Sequence, residues 1–199
     1  MRNDHYMPGS SLKLLHTPYV TPQTKQVLTK RMEEPVVTEP KFFSAALFKT
    51  LQAVCSRLIP QDTDAIQVDL AGTLDLQLER QQGDGWRYDV LPNDQTAHTQ
   101  GMQGIEEVAE HLYQQSFTAL STIQQDKILA AVQEGKVNSP IWQHLNATRY
   151  FEELLVTITA AYYCHPAAKD EIGDVSWADA AGWQHIGLNQ LEPIEPPTQ

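Results

Sequence analysis

The sequence predicts a mostly α protein, a single helical domain with long ordered loops and an extended N-terminal arm. Apolar residues recur at helical spacing in several windows, some with explicit start and stop signals. No βαβ rhythm, heptad run or internal repeat accompanies them. Twelve prolines in 199 residues, many of them between the periodic windows, mark structured connections. That length suits one domain with a real core. The predicted organisation is a leader over 1–40, a helical domain over 41–190 and a tail over 191–199.

The leader is rich in Pro, Thr and Ser. One short helix is expected from Thr21-Pro22 to Arg31, with Val27, Leu28 and Met32 turned to the body, before Glu33-Glu34-Pro35 and Glu39-Pro40 break it. Such a leader is either a disordered tail or an arm wrapped on a surface.

The domain opens at Lys41-Phe42-Phe43-Ser44. Ser44 is a candidate N-cap, and Phe43, Leu47, Leu51, Val54, Cys55 and Leu58 follow at helical spacing until Pro60. Residues 66–80 read two ways. Leu70, Leu74 and Leu78 form a helix stripe, Leu74, Leu76 and Leu78 alternate as in a strand, and length together with the glutamines favours helix.

Gly83-Asp84-Gly85-Trp86 then opens an irregular loop holding Tyr88 and Pro92. Met102, Ile105, Val108, Ala109 and Leu112 mark the next helix face, opposite Glu106, Glu107 and Glu110. Ser121-Thr-Ile-Gln124 fits a capping box, and Gly135 stands where a left-handed C-terminal residue is wanted. Ser139-Pro140 starts a short turn with Ile141 and Trp142. Residues 147–163 carry the longest apolar stripe, through Tyr150, Phe151, Leu154, Leu155, Ile158, Ala161 and Tyr162. Beyond Pro166 the chain is expected to be irregular.

Fourteen basic against 25 acidic residues give a formal charge of −11, which opposes nucleic acid and anionic membrane as partners. No window is apolar enough to span a bilayer. Met1-Arg-Asn-Asp-His has no basic n-region before an apolar run, so the chain is expected to carry no export address of its own. Cys55 and Cys164 read by default as buried free thiols; a disulfide would need an oxidising compartment.

No site for chemistry stands out. The seven histidines form no metal-ligand pair at helical spacing. A metal-binding enzyme or sensor built from Cys164, His165 and His185 is the alternative reading, although neighbours on a helix diverge. The glycine pairs Gly83-Asp84-Gly85 and Gly101-Met102-Gln103-Gly104 lack the strand-to-helix setting of a phosphate loop and read as turns. No Gly-x-Ser-x-Gly elbow occurs. Tyr162, Tyr163, Trp177 and Trp183 crowd a short C-terminal stretch, as packing under a loop or an interface would require.

Three blocks in order carry a resemblance. They are Phe42-Phe43-Ser44 with Arg57-Leu58-Ile59-Pro60; Phe117-Thr-Ala-Leu-Ser-Thr-Ile-Gln-Gln-Asp126 with Gly135; and Phe151, His165-Pro166 and Gly182-Trp-Gln-His-Ile-Gly187. Together they resemble the gluconate 2-dehydrogenase subunit 3 family, the small subunits of flavin-dependent sugar and polyol dehydrogenases. The chain departs from many relatives in lacking a twin-arginine signal and in reading His165-Pro-Ala-Ala-Lys-Asp-Glu-Ile-Gly173.

The resemblance implies a non-catalytic accessory subunit with no cofactor of its own. Its partner would be a large FAD-containing subunit of the glucose–methanol–choline type, in a membrane-associated or periplasmic complex, with a haem c cytochrome as third member. Stabilising or maturing the flavoprotein is the implied role, and export alongside a signal-bearing partner or a cytoplasmic location the implied address. Tyr162, Tyr163, His165, Pro166, Ile172, Trp177, Trp183, His185 and Ile186 are the expected interface, with Trp183 as anchor and the leader contributing.

Overall fold

A computed structural model describes residues 9, 11–62, 66–83, 89–180 and 190. Among them run eight α-helices and no strand. The order is α1 Ser11–Leu14, α2 Pro22–Met32, α3 Ala45–Leu58, α4 Leu70–Glu79, α5 Asp94–Tyr113, α6 Thr122–Gln133, α7 Ala147–Tyr163 and α8 Pro166–Ile172. Single 3-10 turns occupy Phe117–Ala119 and Ile141–Gln143. The mostly α expectation holds. Two compact units result, one from residues 1–35, 66–68 and 162–199, the other from 36–65 and 69–161.

In the larger unit α3 packs on α4, α5 and α6, and α5 on α6. Leu51, Val54, Met102, Ile105, Phe117, Ile128, Leu145, Tyr150, Leu154 and Ile158 are almost completely buried. The starts are set locally. Ser44 accepts the Leu47 N–H, and Ser121 with Gln124 completes the capping box. Gly135 closes the α6 region at φ +66°, a left-handed conformation that glycine adopts at no steric cost.

The shared motif blocks now have physical roles. Arg57, from the first block, donates a two-pronged bond to Asp126 of the second, at 2.8 and 2.9 Å. The hydrogen bond from Arg57, and then its charge, hold the Asp126 carboxyl below its usual range. Within the second block the buried Gln125 side chain donates to the Phe117 carbonyl at 2.9 Å.

The ambiguity over 66–80 settles as helix, α4 at Leu70–Glu79, with Leu70, Leu74 and Leu78 buried as the stripe requires. Its cap is Asp69, which accepts the Gly72 N–H at 2.9 Å and the Val37 N–H at 2.7 Å. Asp75, wholly buried, accepts the backbone N–H groups of Lys41, Phe42 and Phe43. Two aspartates of one helix therefore hold the incoming chain over 37–43.

Several expectations need correction. Gly101 and Gly104 do not make a turn; both lie inside α5, which starts at Asp94 behind its Asn93 cap. Their bare backbone lets rings approach. A Cβ on Gly101 would fall 1.9–2.4 Å from Tyr150 ring and hydroxyl atoms, and one on Gly104 2.6–2.9 Å from the Trp142 indole. Trp142 also donates to the Gly104 carbonyl at 3.1 Å. Leu112 is 56% exposed because the last turn of α5 outruns the core, and Leu155 sits at the solvent edge of a narrower α7 stripe.

Gly101→Ala tests this packing. Helix propensity alone would make the change stabilising by about 1 kcal/mol, but an aromatic ring cannot yield as a flexible side-chain end can. The expected result is a net loss of about 2 kcal/mol in denaturant unfolding. A rise in stability would refute the close approach.

His98 lies against the Tyr150 ring, centroids 5.8 Å apart. Burial lowers its pKa to about 4, so it stays neutral in the core. Cys55 is buried as expected, and burial, then the Asp69 charge, push its thiol up to about 12. It is an inert core thiol. Cys164 departs from the buried reading, being free and exposed.

Candidate partner-binding segment

The expected interface residues fall in the smaller unit, so the segment is built upward from the end of α7. Tyr162 and Tyr163 close that helix with their rings edge to face at 5.2 Å. The Tyr162 hydroxyl donates to Glu171 at 2.6 Å, and burial followed by that bond raises its pKa to about 12. Tyr163 is 47% exposed and Ile172 50%. Both present apolar surface to solvent.

Between α7 and α8 the chain turns at Cys164-His165. Pro166 does not end helical structure but begins it, as the first residue of α8, where a missing N–H costs nothing. His165 is the cap: its Nδ1 accepts the Ala167 N–H at 3.2 Å. Its Nε2 lies 3.2 Å from the Arg31 carbonyl, which fixes the proton on Nε2 because a carbonyl only accepts. Arg31 answers by donating to the Cys164 carbonyl at 3.2 Å. Gly173, at φ +71°, terminates α8.

Carboxylates then fasten this segment to the leader. Asp170 accepts the Leu12 N–H at 2.8 Å. Asp179 accepts the Thr21 N–H at 2.8 Å and the hydroxyls of Thr21 and Thr24 at 2.9 and 2.6 Å, which hold its carboxyl below the usual range. Ser11 donates to the Asp174 carbonyl, and Ala180 donates to the Tyr19 carbonyl at 2.9 Å. Lys169 and Asp174 pair at 2.6 Å. Beneath these bonds Trp177 packs with Leu15, Val20 and Leu28, flanked by Leu12, Leu14 and Met32.

The leader is thus an arm laid on the C-terminal segment. Of its three expected contacts Leu28 is buried and Met32 packs on the Trp177 cluster, while Val27 is 50% exposed.

The predicted residues therefore separate by role. Tyr163 and Ile172 are displayed, Tyr162 is half-buried, and His165 and Pro166 build the frame. Trp177, 7% exposed, is spent on the unit's own core. Trp183, His185 and Ile186 lie outside the described residues. Among the described residues no cluster of three His, Cys, Asp or Glu groups is placed to hold a metal. Both nitrogens of His165 are already committed to backbone groups. Sequence reasoning missed Arg31, Asp170 and Asp179. Thr21 before Pro22 was the one local signal, since a capping threonine marks where the arm must be held.

His165 gives this segment a pH dependence. Burial is the largest cause lowering its pKa below the ordinary 6.5, with Arg31 adding, while the Arg31 carbonyl bond and the Glu34 charge oppose. The unfolded segment therefore binds the proton more readily. Stability is complete above pH 6.5 and is lost as pH falls through the depressed folded value. Amide protection factors at residues 165–173, which take out the intrinsic slowing of exchange in acid, are expected to fall between pH 7 and 5, and His165→Asn, which keeps a cap but cannot titrate, to remove that fall. An unchanged pH profile in that variant would rule His165 out. His98 erodes stability in the same direction, but in the larger unit.

A mostly α protein whose C-terminal segment is strapped to a short N-terminal arm is thus defined by the fold. The sequence model for Gluconate 2-dehydrogenase subunit 3 matches residues 45–188, well over half of the chain, and the chain belongs to that family. The family provides accessory subunits of dehydrogenase complexes. No curated protein and no solved structure matches the chain. No described helix is long and apolar enough to cross a membrane.

Proposed function

We propose that this protein is the non-catalytic small subunit of an FAD-dependent sugar or polyol dehydrogenase of the glucose–methanol–choline type, and that it stabilises or matures the large flavoprotein subunit. A cytochrome c subunit completes the complex in this reading, and the folded assembly is exported on the partner's signal. Family membership over residues 45–188 is the observation that carries it. The displayed Tyr163 and Ile172 support a docking role for the C-terminal segment, since apolar side chains left in water are stabilised by a covering partner.

Isolation of the tagged chain from its native cells, with an absorbance spectrum of the eluate, tests the reading. A larger co-eluting protein bearing flavin is the expected result. A colourless chain eluting alone would overturn it.

A further inference from the structure

In the larger unit, α3, α5 and the turn at 138–141 enclose a groove of about 1000 Å³. Glu106, Glu107 and Glu110 of α5 line it, with Leu47, Ser139 and Ile141 among the other walls, and among the described residues no lysine or arginine does. The three carboxylates are not equivalent. Glu106 is satisfied internally, accepting the Thr50 hydroxyl at 2.5 Å and the Phe117 N–H at 3.0 Å. Glu107 receives, among the described residues, only a long 3.5 Å bond from the Ile141 N–H. Among the described residues, neither Glu107 nor Glu110 forms a salt bridge.

Ser139 lines the same groove, is 7% exposed, and its Oγ has no hydrogen-bond partner among the described residues. A buried hydroxyl left unpaired is costly, and points to a group that arrives from outside. Two uncompensated carboxylates and an orphan hydroxyl ask for hydrogen-bond donors carrying positive charge. A hard divalent ion would want six or more oxygen ligands, and the described residues form no such cluster. A lysine or arginine fits better, because its aliphatic stem can lie on Leu47 and Ile141 while its head reaches the carboxylates.

We infer that this groove seats a lysine- or arginine-bearing segment of the dehydrogenase subunit with which the chain assembles. The inference rests on the subunit reading above. The test is the affinity of the full chain for the isolated flavoprotein across a salt series, for wild type, Glu107→Gln/Glu110→Gln and Glu110→Lys. Glutamine keeps an acceptor for Ile141, and position 110 is exposed, so unchanged thermal unfolding of Glu110→Lys provides the folded control.

The expected result is binding weakened on the order of tenfold in both variants, with a shallower salt dependence, as loss of close charge pairs produces. Wild-type affinity and salt slope in folded Glu110→Lys would overturn the groove while leaving the subunit reading intact. A wild-type chain that binds no flavoprotein at any salt concentration would overturn both.

Discussion

Deletion of residues 1–35 is expected to release the C-terminal segment. Three of the four buried members of its apolar cluster, Leu15, Val20 and Leu28, leave with the arm, and Trp177 is exposed. Each large apolar side chain returned to water costs roughly 1.5–3 kcal/mol. The acceptors Asp170 and Asp179 lose the Leu12, Thr21 and Thr24 donors as well. What remains is α8, seven residues long, and helices shorter than about 12 residues are marginal alone.

Amide exchange over 164–180 should therefore rise to that of an unstructured chain. The helices α3 to α6 should keep their protection, because their core residues belong to the other unit. The truncated chain should also lose the flavoprotein if the C-terminal segment docks it. Wild-type protection at Lys169–Asp174 after truncation would show that the arm is not what orders the segment.

Why the sequence leaves the leader open between a disordered tail and a wrapped arm is plain from these bonds. Its ties to Asp170 and Asp179 cross some 158 residues of chain, and no local pattern encodes a partner so distant. Signals acting within one turn were legible. Ser44, the Ser121–Gln124 box, Gly135 and the Thr21-Pro22 start each satisfy a neighbouring backbone group, so residue type and spacing suffice. Pro166 misled because a proline that breaks a helix and one that begins it look alike until the capping side chain is seen. His165 is an unusual cap.

Gly101 and Gly104 misled similarly. Glycine in a helix costs stability, and only the rings of Tyr150 and Trp142 against that backbone explain why it is used. For the site, Tyr163 and Ile172 were readable as candidate surface, whereas Trp177 illustrates the limit of composition. An aromatic in a loop-rich segment serves equally as an interface anchor or as the core beneath the loop, and here the leader supplies the apolar partners that make it core.

Asp75→Ala is expected to be the most damaging single substitution in the larger unit. One carboxylate oxygen accepts the Lys41 N–H at 2.6 Å, and the other accepts Phe42 and Phe43 at 3.1 and 2.9 Å. Alanine leaves three donors without their acceptor, one of them at the buried Phe43. A loss of about 3 kcal/mol follows, since each unsatisfied buried donor costs roughly 1–3 kcal/mol and water can reach the more exposed two. For a chain of this size that lowers the unfolding midpoint by about 10 °C.

Asp75→Asn separates the geometry from the charge. An amide offers one acceptor oxygen, so it can serve Phe42 and Phe43 but must turn its own N–H groups toward Lys41. Its expected cost is about half that of alanine. If calorimetry gives alanine and asparagine the same midpoint as wild type, Asp75 does not hold the Phe42-Phe43 segment in place. If asparagine proves as damaging as alanine, the negative charge, rather than the count of acceptors, is what fixes the start of α3 against α4.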